Sequence, residues 1–183
     1  MEETWLSILC GQPWLWDSDG ANQISFAEDG TGDLICRPEL NVWIAAEFDW
    51  KSCDGKLSQT IDITRTNNKT IQAQIELTLT KRRIPRIGAA KMAEDTINES
   101  LLKDSAFQPK SYTLALENDI FLSQFDSINA RHLPSHTPRF GFRLVFDKSP
   151  YPPRDEWKEP GGAQEALKFW EWTEFCARQI GCF

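Results

Sequence analysis

Between Thr70 and Lys81 the chain alternates strictly. Ile71, Ala73, Ile75, Leu77 and Leu79 fall on one face, and Gln72, Gln74, Glu76, Thr78 and Thr80 on the other. A period of two marks a strand, because successive side chains point to opposite sides of a sheet. One dry face and one wet face is the antiparallel case. Shorter alternations predict a strand beginning near Trp14, one over 23–27 with Ile24 and Phe26 in phase, and one over 33–37 with Leu34 and Cys36. Over 42–51, Val42, Ile44, Ala46, Phe48 and Trp50 oppose Trp43, Ala45, Glu47, Asp49 and Lys51. Further strands are predicted over 57–65 (Ile61, Ile63, Arg65), 112–117 (Tyr112, Leu114, Leu116) and 139–147 (Phe140, Phe142, Leu144, Phe146). Asp29-Gly30 and Asn67-Asn68 supply turn residues between them.

Two stretches follow a helical period instead. After Pro85 and Gly88, Ala89, Ala93, Ile97 and Leu101 recur every four residues, which predicts an inserted helix over 89–102, either structural or a lid. From Ala163 to Ile180 a second helix is expected, with Ala166, Leu167, Phe169, Trp170, Cys176 and Ala177 on one broad side. Trp172 and Phe175 fall off that side and are expected at the surface, where they would serve a homodimer contact. Ser149-Pro150-Tyr151-Pro152-Pro153 reads as a stiff connection.

These elements predict one mainly β domain over residues 1–183. It is an eight-stranded antiparallel up-and-down barrel with an inserted helix and a C-terminal helix packed outside. The rival is a half-open sheet wrapped on the C-terminal helix, but such cones carry their helices first, and here the strands come first. Gly11-x-x-Trp14 before the first strand, the meander, the arginines of the last strand (Arg139, Arg143) and the final helix resemble the lipocalin-like, or calycin, barrels. The spacing from Gly11 to Trp14 and the helical insertion depart from that family's pattern. Asp-Gly-Thr-Gly-Asp-Leu (29–34), Trp-Ile-Ala-Ala-Glu-Phe-Asp-Trp-Lys (43–51) and Phe-Asp-Lys-Ser-Pro-Tyr-Pro-Pro-Arg (146–154) also resemble short fungal proteins. The barrel resemblance implies a cavity for a small molecule. Lipocalin-like barrels of fungal metabolite pathways direct cyclisations such as Diels–Alder reactions, so it also implies a cofactor-independent isomerase or cyclase as an alternative.

Polarity assigns the inner face. Gln, Gln, Glu and Thr of 70–81 belong in water, which turns Ile24, Phe26, Leu34, Phe48, Trp50, Ile61, Ile63, Tyr112, Leu114, Phe140, Phe142 and Phe146 inward. An apolar, possibly polycyclic, ligand suits that lining, with Phe48, Trp50, Arg65, Tyr112, Phe140 and Phe142 as the expected binding residues. Tyr112, Trp50 and Arg65 are the polar handles a cyclase would use to fix a reactive conformer. Glu47 and Asp49, i and i+2 on one strand, are read either as an acid–base pair or as surface carboxylates paired with Arg139 or Arg143. An empty lumen would favour binding or cyclisation, and a solid one a structural or interaction role.

Composition narrows the picture. Eight Trp and eleven Phe against two Tyr make an aromatic interior the default. A net charge of −7 argues against nucleic acid as a partner. Five cysteines without Cys-x-x-Cys spacing suggest neither a disulfide framework nor zinc. His132-x-x-x-His136 lies among Pro134 and Pro138 with no adjacent acid, so no metal is expected. Phosphate-loop, dinucleotide and Gly-x-Ser-x-Gly motifs do not occur, and no cofactor is expected. The acidic start, Met-Glu-Glu-Thr-Trp, lacks the features of a signal peptide, and no apolar run nears the ~20 residues of a membrane span. A cytoplasmic location is the resulting expectation.

Overall fold

The structure is a computed structural model that describes residues 2–37, 44–62, 70–83 and 100–182. Trp43, Ile63, Arg65 and nearly all of the expected helix 89–102 lie outside the described residues. The strands are β1 (Glu2–Thr4), β2 (Trp14–Leu15), β3 (Asn22–Phe26), β4 (Thr31–Cys36), β5 (Ile44–Ser52), β6 (Thr60–Asp62), β7 (Ile71–Arg83), β8 (Lys110–Phe121), β9 (Pro138–Phe146) and β10 (Glu174–Cys182). Eight of them close a barrel in the order β10-β2-β3-β4-β5-β7-β8-β9, every neighbour antiparallel, while β1 and β6 pair separately.

The expected barrel is therefore present, with a different set of strands. The described part of the stretch 57–65, residues 57–62, does not join the wall. Lys56–Ser58 forms a 3-10 turn, and β6 pairs with the N-terminal β1, Ile61 opposite Glu3. The eighth wall strand is β10, where a helix was expected. Only Ala163–Leu167 is α-helical. Lys168 then turns left-handed (φ 50), a 3-10 turn covers Phe169–Glu171, and the chain runs on as strand. Arg178 is itself left-handed (φ 58), and the register against β9 shifts near the strand's end, between Gln179 and Gly181. Phe175, Cys176 and Ala177 are buried in succession, and such an unbroken apolar run conceals the period of two.

Two glycines let the wall form. Gly30 takes the positive φ (87°) of the tight hairpin between β3 and β4. Gly32 lies opposite Phe48 in the ladder, and a methyl group there would come within 2.3 Å of the Phe48 ring. The ring lies across the bare glycine backbone.

An up-and-down ring places alternate connections at opposite ends. One end receives the N-terminal segment, with α1 (Trp5–Cys10) packed on the 3-10 turn at 56–58 and on β3. Thr4 caps α1, its hydroxyl accepting from the Ser7 N–H at 3.1 Å. Trp5, Ile8, Leu9, Leu57 and Ile61 from this floor are buried in the main core. The other end carries the connection 147–173, which lies across the barrel mouth as a strap. Between β8 and β9, α2 (Gln124–Ile128) packs against β10.

Candidate functional site

On the described wall strands the inward face is the expected one; Ile61, expected on it, lies instead in β6 of the separate sheet and is buried in the floor. Phe26, Phe48, Trp50, Tyr112, Leu114, Phe140, Phe142 and Phe146 are all buried. Phe26 stands edge-on to both Phe48 and Trp50, with ring centroids 5.4 Å apart in each case. The Trp50 indole N–H donates to the carbonyls of Ala27 (3.1 Å) and Thr31 (3.0 Å), so it serves the hairpin. Phe142 packs under the Arg178 guanidinium at 4.5 Å, and Arg178 in turn pairs with Glu3 of the floor (2.7 Å). Tyr112 stands apart from these rings, toward the mouth, beside Phe146 (5.9 Å). Arg65 is not among the described residues.

The middle of the barrel is filled. Ile24, Leu34, Ala46, Phe48, Ala73 and Leu114 have no accessible surface, so no water-sized space opens beside them.

The mouth is closed by aromatic side chains that belong to the strap and to the foot of β10. Tyr151 is completely buried against Phe175 (6.3 Å), Trp172 (5.5 Å) and Phe169 (6.4 Å). Its hydroxyl donates to the Ile35 carbonyl of β4 at 2.6 Å, so the side chain reaches from the β10 side to the β4 side. Burial pushes that hydroxyl well above the ordinary tyrosine range, and Cys36 and Asp17 add to the effect. Trp157 packs on Phe169 (5.5 Å), and its indole N–H donates to the Pro152 carbonyl at 3.0 Å. Trp172 stacks on Trp16 at 3.6 Å. Trp172 and Phe175, expected at the surface, are 4% and 0% exposed, and neither ring is available for a homodimer contact. Both residues belong to the turn and strand that replaced the expected helix, which turns them inward.

Hydrogen bonds and an ion pair tie the strap to the rest of the barrel, among them Asp147 N–H to Thr113 O (3.0 Å) and Lys103 Nζ to Asp155 O (2.8 Å). Ser149 donates to the Phe169 carbonyl at 2.9 Å. The strap pairs with 101–103 through Lys158 N–H to Leu101 O (2.9 Å) and Lys103 N–H to Glu156 O (2.8 Å). Gln124 Oε1 accepts three N–H groups, from the Trp16 indole, Thr173 and Glu174. Lys110, in phase with Tyr112 and hence on the inner face at the rim, pairs with Glu156 of the strap. That pair is largely shielded, the side chains being 20% and 11% exposed. Lys148 Nζ lies 5.0 Å from the Tyr112 ring centre. The Tyr112 hydroxyl is pushed up by burial and further by Glu156 and Asp147.

Glu47 and Asp49 are outside, both paired with Arg82 across the β5–β7 ladder. The expected partner arginines are engaged elsewhere or apart: Arg143 pairs with Glu117 (2.6 Å) and Glu174 (2.9 Å). The acid–base reading of Glu47 and Asp49 thus gives way to a surface ion-pair cluster. Among the described residues, no group of three His, Cys, Asp or Glu is placed to hold a metal. None of the described helices is long and apolar enough to cross a membrane.

The sequence reading missed Tyr151, Trp157, Lys110 and Glu156. Lys110 was legible, since the alternation of Tyr112, Leu114 and Leu116 extends back to it. Tyr151 sits in a proline-rich run whose period carries no information. Comparison of the chain with known protein families, with curated proteins and with solved structures finds no match.

Proposed function

We propose that the protein binds an apolar, ring-containing small molecule at the barrel mouth, in the place that the Tyr151 side chain fills in the closed form. The observation that carries this reading is the origin of the plug. Tyr151, Trp157 and Phe169 come from a connection, tied by hydrogen bonds and an ion pair, and not from the wall. A cover of that kind can leave without breaking the strand ladder. An aromatic ligand entering over Phe146, Phe175 and Tyr112 would recover the apolar contacts that Tyr151 gives up.

A second reading is supported by the filled middle: a barrel that serves as a scaffold and carries no ligand. Titration with N-phenyl-1-naphthylamine separates the two, read as energy transfer from tryptophan. Ligand binding predicts a saturable signal of one probe per chain that is lost on unfolding. A signal that never saturates, or none, would leave the scaffold. Recovery of a bound polyene as a cyclised product, in place of the unchanged compound, would move the reading from carrier to cyclase.

A further inference from the structure

At the rim of the apolar interior stands an ammonium group, that of Lys110, whose counter-ion belongs to the strap. Lys110 lies on the inner face of β8, opposite Leu77 of β7. A cation in such a place is tolerated only when paired, and its partner is Glu156, in the 3-10 turn Arg154–Glu156 of the strap. The Tyr112 ring stands next on the same face, with Lys148 5.0 Å from its centre. Glu156 and Asp147 are the acids whose charge acts on the Tyr112 hydroxyl. Lifting the strap removes the carboxylate and strands the ammonium. An uncharged ligand leaves that cost in place, whereas a ligand with an acidic head cancels it. Only the acidic ligand therefore binds the open form with an added advantage, and such a difference in affinity is what shifts an equilibrium.

Resting on the reading of the mouth as an apolar binding site, we propose that Lys110, flanked by Tyr112 and Lys148, seats the anionic head of an apolar acid, and that Glu156 holds this seat in the closed barrel. The ligand class is then an amphiphile with a ring-containing or aliphatic body and one carboxylate or similar anion. Ligand acid and Glu156 compete for one ammonium, which couples binding to release of the strap.

Two probes with a common ring system test this on the full chain: 1-anilinonaphthalene-8-sulfonate, which is anionic, and N-phenyl-1-naphthylamine, which is neutral. Lys110→Met is expected to weaken the anionic probe about tenfold more than the neutral one, the scale of one hydrogen bond to a charged group. Glu156→Gln is expected to tighten the anionic probe, because the internal competitor is gone. The double variant Lys110→Met/Glu156→Gln leaves no buried charge unpaired and guards against misfolding, with near-ultraviolet circular dichroism as the check. It should show the same loss of preference for the anion. Equal effects on both probes would overturn the anion seat while leaving apolar binding intact. Failure of both probes to bind the wild-type chain saturably would overturn apolar binding and the seat together.

Discussion

The two ends of this barrel are closed by different means. The floor is a helix and a small two-stranded sheet near the N-terminus, and it contributes Trp5, Ile8, Leu9, Leu57 and Ile61 to the core. The mouth is closed by a proline-containing strap of short turns and one short helix, whose main plug, Tyr151, carries a hydroxyl and whose edge carries a charged pair. Tyr151, Trp157, Phe169 and Trp172 of the mouth nevertheless belong to the same buried cluster as the floor. On the proposed reading the hydrogen bonds and ion pair of the strap exchange for others, from water or from a ligand, so that the strap acts as a cover while the floor stays with the fold.

The largest effects should come from the side chains that fill each end. Tyr151→Ala and Trp5→Ala are each expected to cost about 3–5 kcal/mol in chemical denaturation, the usual range for removing a large aromatic from a core. They should differ in stopped-flow association of N-phenyl-1-naphthylamine. The mouth variant should bind faster than wild type, and the floor variant should not. Equal rates in the two variants would erase the distinction between floor and cover.

Gln124→Leu comes next. It orphans the Trp16, Thr173 and Glu174 N–H groups where the strap joins β10, at an expected cost of about 1–3 kcal/mol by urea denaturation. The loss should appear as faster exchange of strap amides, with the floor unaffected.

Alkaline titration sharpens the comparison further. The chain has two tyrosines, and both are buried at the mouth with raised pKa values. Neither should ionise near pH 10 in the native protein, followed by absorbance at 295 nm. The unfolded chain loses these protons first, so stability is full below about pH 10 and falls as pH rises above it. A tyrosine that titrates normally while the fold persists would show the mouth open.

The smallest effect is predicted on the outer wall. Arg82→Ala removes the exposed partner of Glu47 and Asp49, and should change stability by less than about 1 kcal/mol without altering probe binding. A loss of binding would return those carboxylates to the candidate site.

What was legible in the sequence follows from where the period of two survives. β7, with Ile71 to Leu79 alternating without a break, fixed the inner face and with it Phe48, Trp50, Tyr112, Phe140 and Phe142. β10 was illegible because Phe175, Cys176 and Ala177 are buried in succession, Cys176 against the Leu122 carbonyl of the connection before β9. The strand count came out right only because 57–65, which has a strand's pattern but whose residues 60–62 pair with β1, took its place. Nothing local distinguishes a wall strand from one recruited by the N-terminus, since the choice is made by pairing partners far along the chain. The mouth was hidden for a related reason. Tyr151 finds Ile35 across 116 residues, and Lys110 finds Glu156 across 46.

Native-state hydrogen exchange followed by NMR, with increasing urea, tests the central claim most directly. The reporters are Lys103 and Lys158 for the strap and Trp5, whose N–H donates to Gln59 O at 3.0 Å, for the floor. A separable cover predicts that the strap amides exchange through an opening cheaper than global unfolding and nearly independent of urea, while Trp5 exchanges only as the whole barrel unfolds. Strap and floor amides protected to the same free energy, with the same dependence on urea, would contradict it.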